Sequence, residues 1–198
     1  MLRNRKIVLP DNKVIIYDSF TGVDGTLLAN HNPDINKSGQ VWFYTTNQQI
    51  INNTATNVGA DSGGYIQSNQ SDCILTAKFF SSYDSAQIIT RQPALLFRWN
   101  GTNSFKVIAN IYANTFSIVN PSGSTIATKS TTLIKNTWYT IQAIISGSNI
   151  TATLDGVNTI SAVDSSNIGE TIHGYWNYRY VPHLGYLTYC DDFEVRKL

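Results

Sequence analysis

Residues 136–163, NTWYTIQAIISGSNITATLDGVNTISAV, constrain the fold of this chain more than any other stretch. Residues 137–146 are rich in β-branched and aromatic side chains. Residues 150–154 alternate apolar with polar, and residues 157–163 resume the β-branched pattern. Gly147-Ser148 and Asp155-Gly156 separate the three runs. Asp-Gly suits a tight connection between antiparallel strands, because a type I′ turn needs positive φ at both central positions. Alternation with a period of two places side chains on a half-buried strand. The stretch predicts three consecutive antiparallel strands joined by two-residue turns. Its one acid, Asp155, sits in a turn, so it reads as scaffold and carries no chemistry.

The rest of the chain repeats this grammar. Strands are predicted at 41–45, 73–80, 95–99, 104–111 and 186–197, and at 116–119 paired with 125–128 across Pro121-Ser122-Gly123. Residues 6–17 read as a small hairpin around Pro10-Asp11-Asn12, residue types suited to a turn. Residues 18–34 read mostly as loop, and 47–64 as a polar, turn-rich segment with one short strand at 49–52. No stretch keeps a 3.6-residue period over three turns. Short strands at intervals of roughly 8–12 residues, joined by Gly and Asn, predict an all-β fold, a β-sandwich or jelly roll. A length of 198 residues suits one such domain, which buries roughly 70% of its unfolded surface. The expected division is an N-terminal hairpin or arm at 1–17 and a jelly-roll domain at 18–198.

Several function classes are disfavoured. A net charge of +1 is no electrostatic footprint for nucleic acid. No run reaches the roughly 18 apolar residues of a membrane-spanning helix, so no membrane insertion is expected. The apolar run near the start, residues 7–9, is too short for a signal-peptide core, and synthesis in the cytoplasm is expected. Cys73 and Cys190 lie far apart without metal spacing; buried or free thiols and a disulfide both stay open. G-x-S-x-G, HExxH, GxGxxG and P-loop patterns are absent. His31, His173 and His183 are dispersed and read as loop or surface residues.

An ordered series of short motifs resembles the concanavalin A-like lectin/glucanase superfamily, and its laminin G-like modules in particular. The series begins with Asp18-x-Phe20, Asp24-Gly25-Thr26-Leu27-Leu28, Asn32-Pro33-Asp34 and Trp42. It continues with Leu96-Phe97-Arg98, Thr137-Trp138-Tyr139, Leu154-Asp155-Gly156 and Gly174, and closes with Asp191-Asp192-Phe193-Glu194-Val195. The resemblance implies a two-sheet antiparallel jelly-roll sandwich, with the first and last strands adjacent. Phe20 and Phe193 would point into the core, and Trp138 would be a core pillar. The opening DGTLL…HNPD…W pattern is also similar to modules of bacteriophage virion proteins. Glucanases of the superfamily work with paired carboxylates, which must flank the glycosidic bond roughly 5–10 Å apart. The only glutamates here are Glu170 and Glu194. Asp192 and Glu194 would share a strand face, but they belong to the structural closing motif, so no enzyme is expected. The resemblance also raises Ca²⁺, with Asp18, Asp24 and Asp192 as ligands. The alternative is that these aspartates cap turns by local hydrogen bonds.

The most informative departure from that pattern is residues 172–189, IHGYWNYRYVPHLGYLTY. Tyr, Trp and Arg are enriched at binding hot spots, and flat rings stack on the apolar C–H faces of sugars. Tyr175, Trp176, Tyr178, Arg179, Tyr180 and His183 are therefore the candidate contact residues for glycan or protein, against the alternative that half of these rings fill the core. Arg3, Arg5 and Lys6 read either as a solvated terminus or as an arm that anchors a partner. Together these features predict a non-enzymatic virion accessory protein, a capsid or tail decoration, with no cofactor beyond Ca²⁺. Its partners would be other virion proteins or a cell-surface glycan, and a homo-oligomer stays open. The alternative is a carbohydrate-binding, lectin-like protein that is Ca²⁺-dependent or not; a glycoside hydrolase is the remotest reading.

Overall fold

The computed structural model describes residues 12–43, 46–58, 62–81, 92–177 and 188–198. In chain order the strands are β1 (Val14–Asp18), β2 (Ile35–Asn36), β3 (Gln48–Ile51), β4 (Thr54–Asn57), β5 (Ser62–Gln67), β6 (Cys73–Ser81), β7 (Ala94–Phe97) and β8 (Phe105–Asn110). They continue as β9 (Thr115–Val119), β10 (Thr125–Ser130), β11 (Trp138–Ser146), β12 (Asn149–Leu154), β13 (Asn158–Val163), β14 (Ile172–Asn177) and β15 (Thr188–Lys197). A 3-10 turn covers Leu28–Asn30.

The strands form two antiparallel sheets, the sandwich that the sequence predicts. The nine-stranded sheet runs β13-β12-β11-β6-β15-β1-β2, with β4 also on β15 and β3 on β4; the six-stranded sheet runs β10-β9-β8-β7-β14-β5. The first and last strands are neighbours, with Asp18 opposite Phe193. Val14 and Ile16 of β1, which lies between β15 and β2, are fully buried. The boundary placed after residue 17 therefore falls inside the sandwich. Residues 1–11, with Arg3, Arg5 and Lys6, lie outside the described residues.

The 136–163 stretch forms β11, β12 and β13, as its pattern dictates. Ser146 pairs with Asn149 around Gly147-Ser148. The second connection has three residues, because Leu154 pairs with Asn158. Asp155 and Gly156 take the positive φ values, 51° and 71°. Asp155 also ties the turn to β11: its N–H donates to Thr140 O (2.9 Å), and its carboxylate accepts from the Thr140 N–H (2.7 Å). Tyr139, Ile141, Ala143 and Ile145 face the core, so alternation turns Trp138 outward. Trp138 is no core pillar; it lies half-buried on the outer face, 5.4 Å from Phe80 between ring centroids.

The core closes on an aromatic cluster. Trp42 packs edge-on to Tyr175 (5.6 Å) and Phe193 (5.1 Å), and Phe20 lies 5.7 Å from both Trp42 and Tyr175. Phe20 and Phe193 are fully buried, as expected. Each such ring contributes roughly 2–3 kcal/mol of burial. Asp18 is a polar hub beside this cluster, also fully buried. It accepts from Trp42 Nε1 (2.7 Å) and the Phe20 N–H (2.7 Å), and it bonds His31 Nε2 (2.8 Å). Burial pushes the Asp18 carboxyl above the usual carboxylate range, and the bonds to His31, Trp42 and Phe20 oppose that. The bond to Asp18 holds His31 above its ordinary value.

Strands β4, β5 and β14 run through segments whose sequence shows no strand pattern. Around residue 43, the predicted strand is a single bridge to Tyr65. Cys73 and Cys190 are both free and buried.

Candidate functional site

The outer face of the six-stranded sheet carries a second, smaller aromatic cluster. Tyr65 and Gly63 come from β5, and Trp176 comes from β14. Register places Gly174 opposite Tyr65 and Gly63 opposite Trp176. Each ring thus stands beside a residue with no side chain. A Cβ at Gly63 would lie 2.1 Å from Tyr175 O and 3.0 Å from the Trp176 ring; one at Gly174 would lie 2.0 Å from Gly64 O. The two glycines let β5 and β14 approach, and Gly63 also leaves room for the Trp176 ring. Ala94 and Leu96 of β7 continue the row across β14 and are buried.

Trp99 follows β7 and is fixed by its N–H to Ile172 O (3.0 Å). Its ring stacks on Tyr65 with centroids 4.8 Å apart and 27° between planes. Phe43 bonds Tyr65 through both backbone groups (2.9 and 3.0 Å) and sets its ring 5.9 Å from Trp99. Between these rings lies a cleft of about 290 Å³ lined by Thr46, Ser62, Gly63, Tyr65, Trp99, Thr102 and Trp176. Tyr65 and Trp99 keep 7% and 8% of their surface exposed, while Trp176 is more open. The described walls of the cleft are aromatic rings and hydroxyls, with no carboxylate, amine or imidazole.

A buried polar network braces the cleft from behind. Gln48 Nε2 donates to Ser62 O and Oγ, both at 3.0 Å. Gln48 Oε1 accepts from the Tyr175 hydroxyl (3.3 Å), and Asn177 Nδ2 donates to Ala55 O (3.1 Å). Nearby, His173 is fully buried. It bonds Gln70 O through Nε2 (2.8 Å) and accepts the Arg98 N–H at Nδ1 (3.3 Å). Burial pushes its pKa down to about 4. Next to it, burial pushes the Cys73 thiol up to about 12, which leaves it inert.

The sequence-derived candidates separate into three places. Trp176 lines the cleft. Tyr175, the residue before it, faces the opposite way and is fully buried in the core, so it cannot touch a ligand. Tyr178, Arg179, Tyr180 and His183 lie outside the described residues. Tyr65 and Trp99 were not singled out as binding residues. Nothing local marks them, because register and the path after β7 bring them together.

The three aspartates considered for Ca²⁺ do not converge. Among the described residues no three His, Cys, Asp or Glu side chains gather as a metal site. Asp18 spends both oxygens on Trp42, Phe20 and His31. Asp24 accepts from the Asn52 N–H (2.8 Å). Asp192 takes the Tyr17 hydroxyl (2.6 Å) and Lys78 Nζ (2.5 Å). This set does not fit a cation that needs 6–8 oxygens. Nor do Asp192 and Glu194 form an acid pair. A bulge interrupts β15 between Asp191 and Glu194, Asp192 takes φ 49°, and Glu194 pairs with Arg196 at 3.5 Å.

No protein-family model matches the chain, and no curated protein matches it. Solved structures do. The carbohydrate-binding module CBM66 from Bacillus subtilis superposes with a TM-score of 0.57 at 13% identity, over 93% of this chain and 97% of that one. The Ca²⁺- and Man2-bound exoplasmic/lumenal domain of VIP36 gives 0.61 at 10% identity, over 95% and 90%. Domain 4 of AbnA, a GH43 arabinanase of Geobacillus stearothermophilus solved with arabinotriose, gives 0.55 at 8%, over 93% and 92%. At these identities the likeness is one of fold alone, a two-sheet jelly-roll sandwich.

Proposed function

We propose that this protein is a non-enzymatic carbohydrate-binding module, and that its ligand sits in the cleft between Tyr65, Trp99 and Trp176. The carrying observation is the cleft itself. Its aromatic walls match the C–H faces of a sugar, and the Thr46 and Thr102 hydroxyls suit its O–H groups. Its volume is at the small end of the roughly 300–1,000 Å³ range of ligand sites, which suits one ring or a chain end. The similar folds add support, since a carbohydrate-binding module and domains solved with mannose and arabinose oligosaccharides share this architecture. A virion accessory role rests on the sequence resemblance alone, so the glycan reading is the one adopted.

A screen of immobilised oligosaccharides and polysaccharides tests it, with the Trp176→Ala variant alongside. The wild type is expected to be retained by at least one glycan, with the variant about tenfold or more weaker while circular dichroism shows it still folded. Chelator is expected to leave binding unchanged. Retention by no glycan, or equal retention of the variant, contradicts the proposal.

A further inference from the structure

Sheet edges invite pairing with another chain, and folded proteins protect them by shortness, cover, bulges or charge. Most edges here are protected. β2 has two residues. β3 is bridged by Leu27 and β5 by Phe43. β10 is bulged between Thr125 and Ala127 and contains Lys129. β13 is the exception among the described strands. It is Asn-Thr-Ile-Ser-Ala-Val, with neither charge nor proline, in unbroken register with β12.

The direction of its free groups follows from the ladder. Asp164 N–H donates to Ser148 O (2.9 Å), which makes that pair a hydrogen-bonded one. Antiparallel pairs alternate between bonded and non-bonded. Ala162, Ile160 and Asn158 therefore bond β12, while Thr159, Ser161 and Val163 point N–H and C=O out of the sheet. These three side chains are exposed, and Val163 keeps 75% of its surface open.

We infer that β13 is a self-association edge, and that its occupant is a second copy of this chain. An antiparallel pairing centred on Ser161 is self-complementary. It sets Ser161 against Ser161, and Thr159 against Val163 in both directions, so that every outward group finds a partner. The segment is uncharged, and a net charge of +1 opposes association little. The hydroxyl pairs Thr151–Ser161 (3.1 Å) and Thr153–Thr159 (3.2 Å) lie on the sheet's outer face and would extend across the joint. The result is an isologous two-fold dimer with one continuous sheet and two clefts. The inference does not depend on what the cleft binds.

Light scattering on the full chain, over a concentration series up to about 1 mM, tests it. The expected mass rises from that of the 22.0 kDa chain to twice that value. Ser161→Pro removes an N–H that has no role inside the sheet, a change edge strands tolerate. It is expected to stay monomeric at unchanged circular dichroism. Thr159→Lys repeats the test by charge if the proline variant fails to fold. A wild type that stays monomeric throughout overturns the inference. So does a dimer that survives in a folded variant.

Discussion

Trp42 donates its indole N–H to the Asp18 carboxylate across 2.7 Å, with both side chains buried. This bond joins two motifs of the sequence, Asp18-x-Phe20 and the lone Trp42, at the point where the first strand meets the aromatic core. Asp18→Ala strands three donors or partners in the interior: the Trp42 indole, the Phe20 amide and His31. Removing one member of a buried ionic hydrogen-bonded set typically costs roughly 3–5 kcal/mol. Urea unfolding of Asp18→Ala should show a loss of this size. A loss under about 1 kcal/mol would mean that the hub contributes little.

His173 makes stability depend on pH. Its folded pKa is pushed down to about 4, from an ordinary value of 6.5. Between those values the unfolded chain binds more protons at this site than the folded one, so stability rises with pH across the window. The contribution is complete above pH 6.5 and is lost as pH falls towards 4, amounting to roughly 3 kcal/mol. His31 acts in the opposite sense: its raised pKa gives stability that is lost as pH rises above 6.5. The wild-type melting temperature should fall more steeply than that of His173→Gln between pH 6.5 and 4. Parallel curves would contradict the assignment.

Glycine positions separate into two kinds. At Gly174 a Cβ would meet Gly64 O at 2.0 Å, whereas at Gly22 the nearest atom, a methyl of Ile50, is 3.6 Å away. Gly174→Ala should cost about 4 kcal/mol or more and separate β14 from β5. Gly22→Ala should stay within about 1 kcal/mol of wild type. Equal effects in thermal denaturation would refute the close approach of the two strands.

The parts of the fold legible in the sequence are those where one face alone is buried. β11 and β12 alternate cleanly because their outer faces meet solvent, and Asp155-Gly156 marks their end. β4 is hidden because Thr54, Thr56 and Asn57 are buried yet polar, satisfied by bonds to distant groups such as Thr188 O and Asn177 O. β5 and β14 are hidden because Gly63, Gly64 and Gly174 break the pattern, and of these Gly63 lines the cleft. Trp176, singled out by its aromatic surroundings, lines the cleft. Tyr175 beside it was not separable, since adjacent strand residues face opposite ways and the phase depends on pairing. Trp138 was misplaced for the same reason.

The four tryptophans allow one direct test of where a glycan binds. Trp99 and Trp176 line the cleft. Trp42 is in the core, and Trp138 is on the outer face of the opposite sheet. A proton–nitrogen correlation spectrum resolves one indole signal for each. During titration with a glycan that the protein retains, the account predicts that the Trp99 and Trp176 signals move while those of Trp42 and Trp138 hold. Movement of Trp138 alone, or saturable binding with the Trp99 and Trp176 signals unmoved, would contradict it.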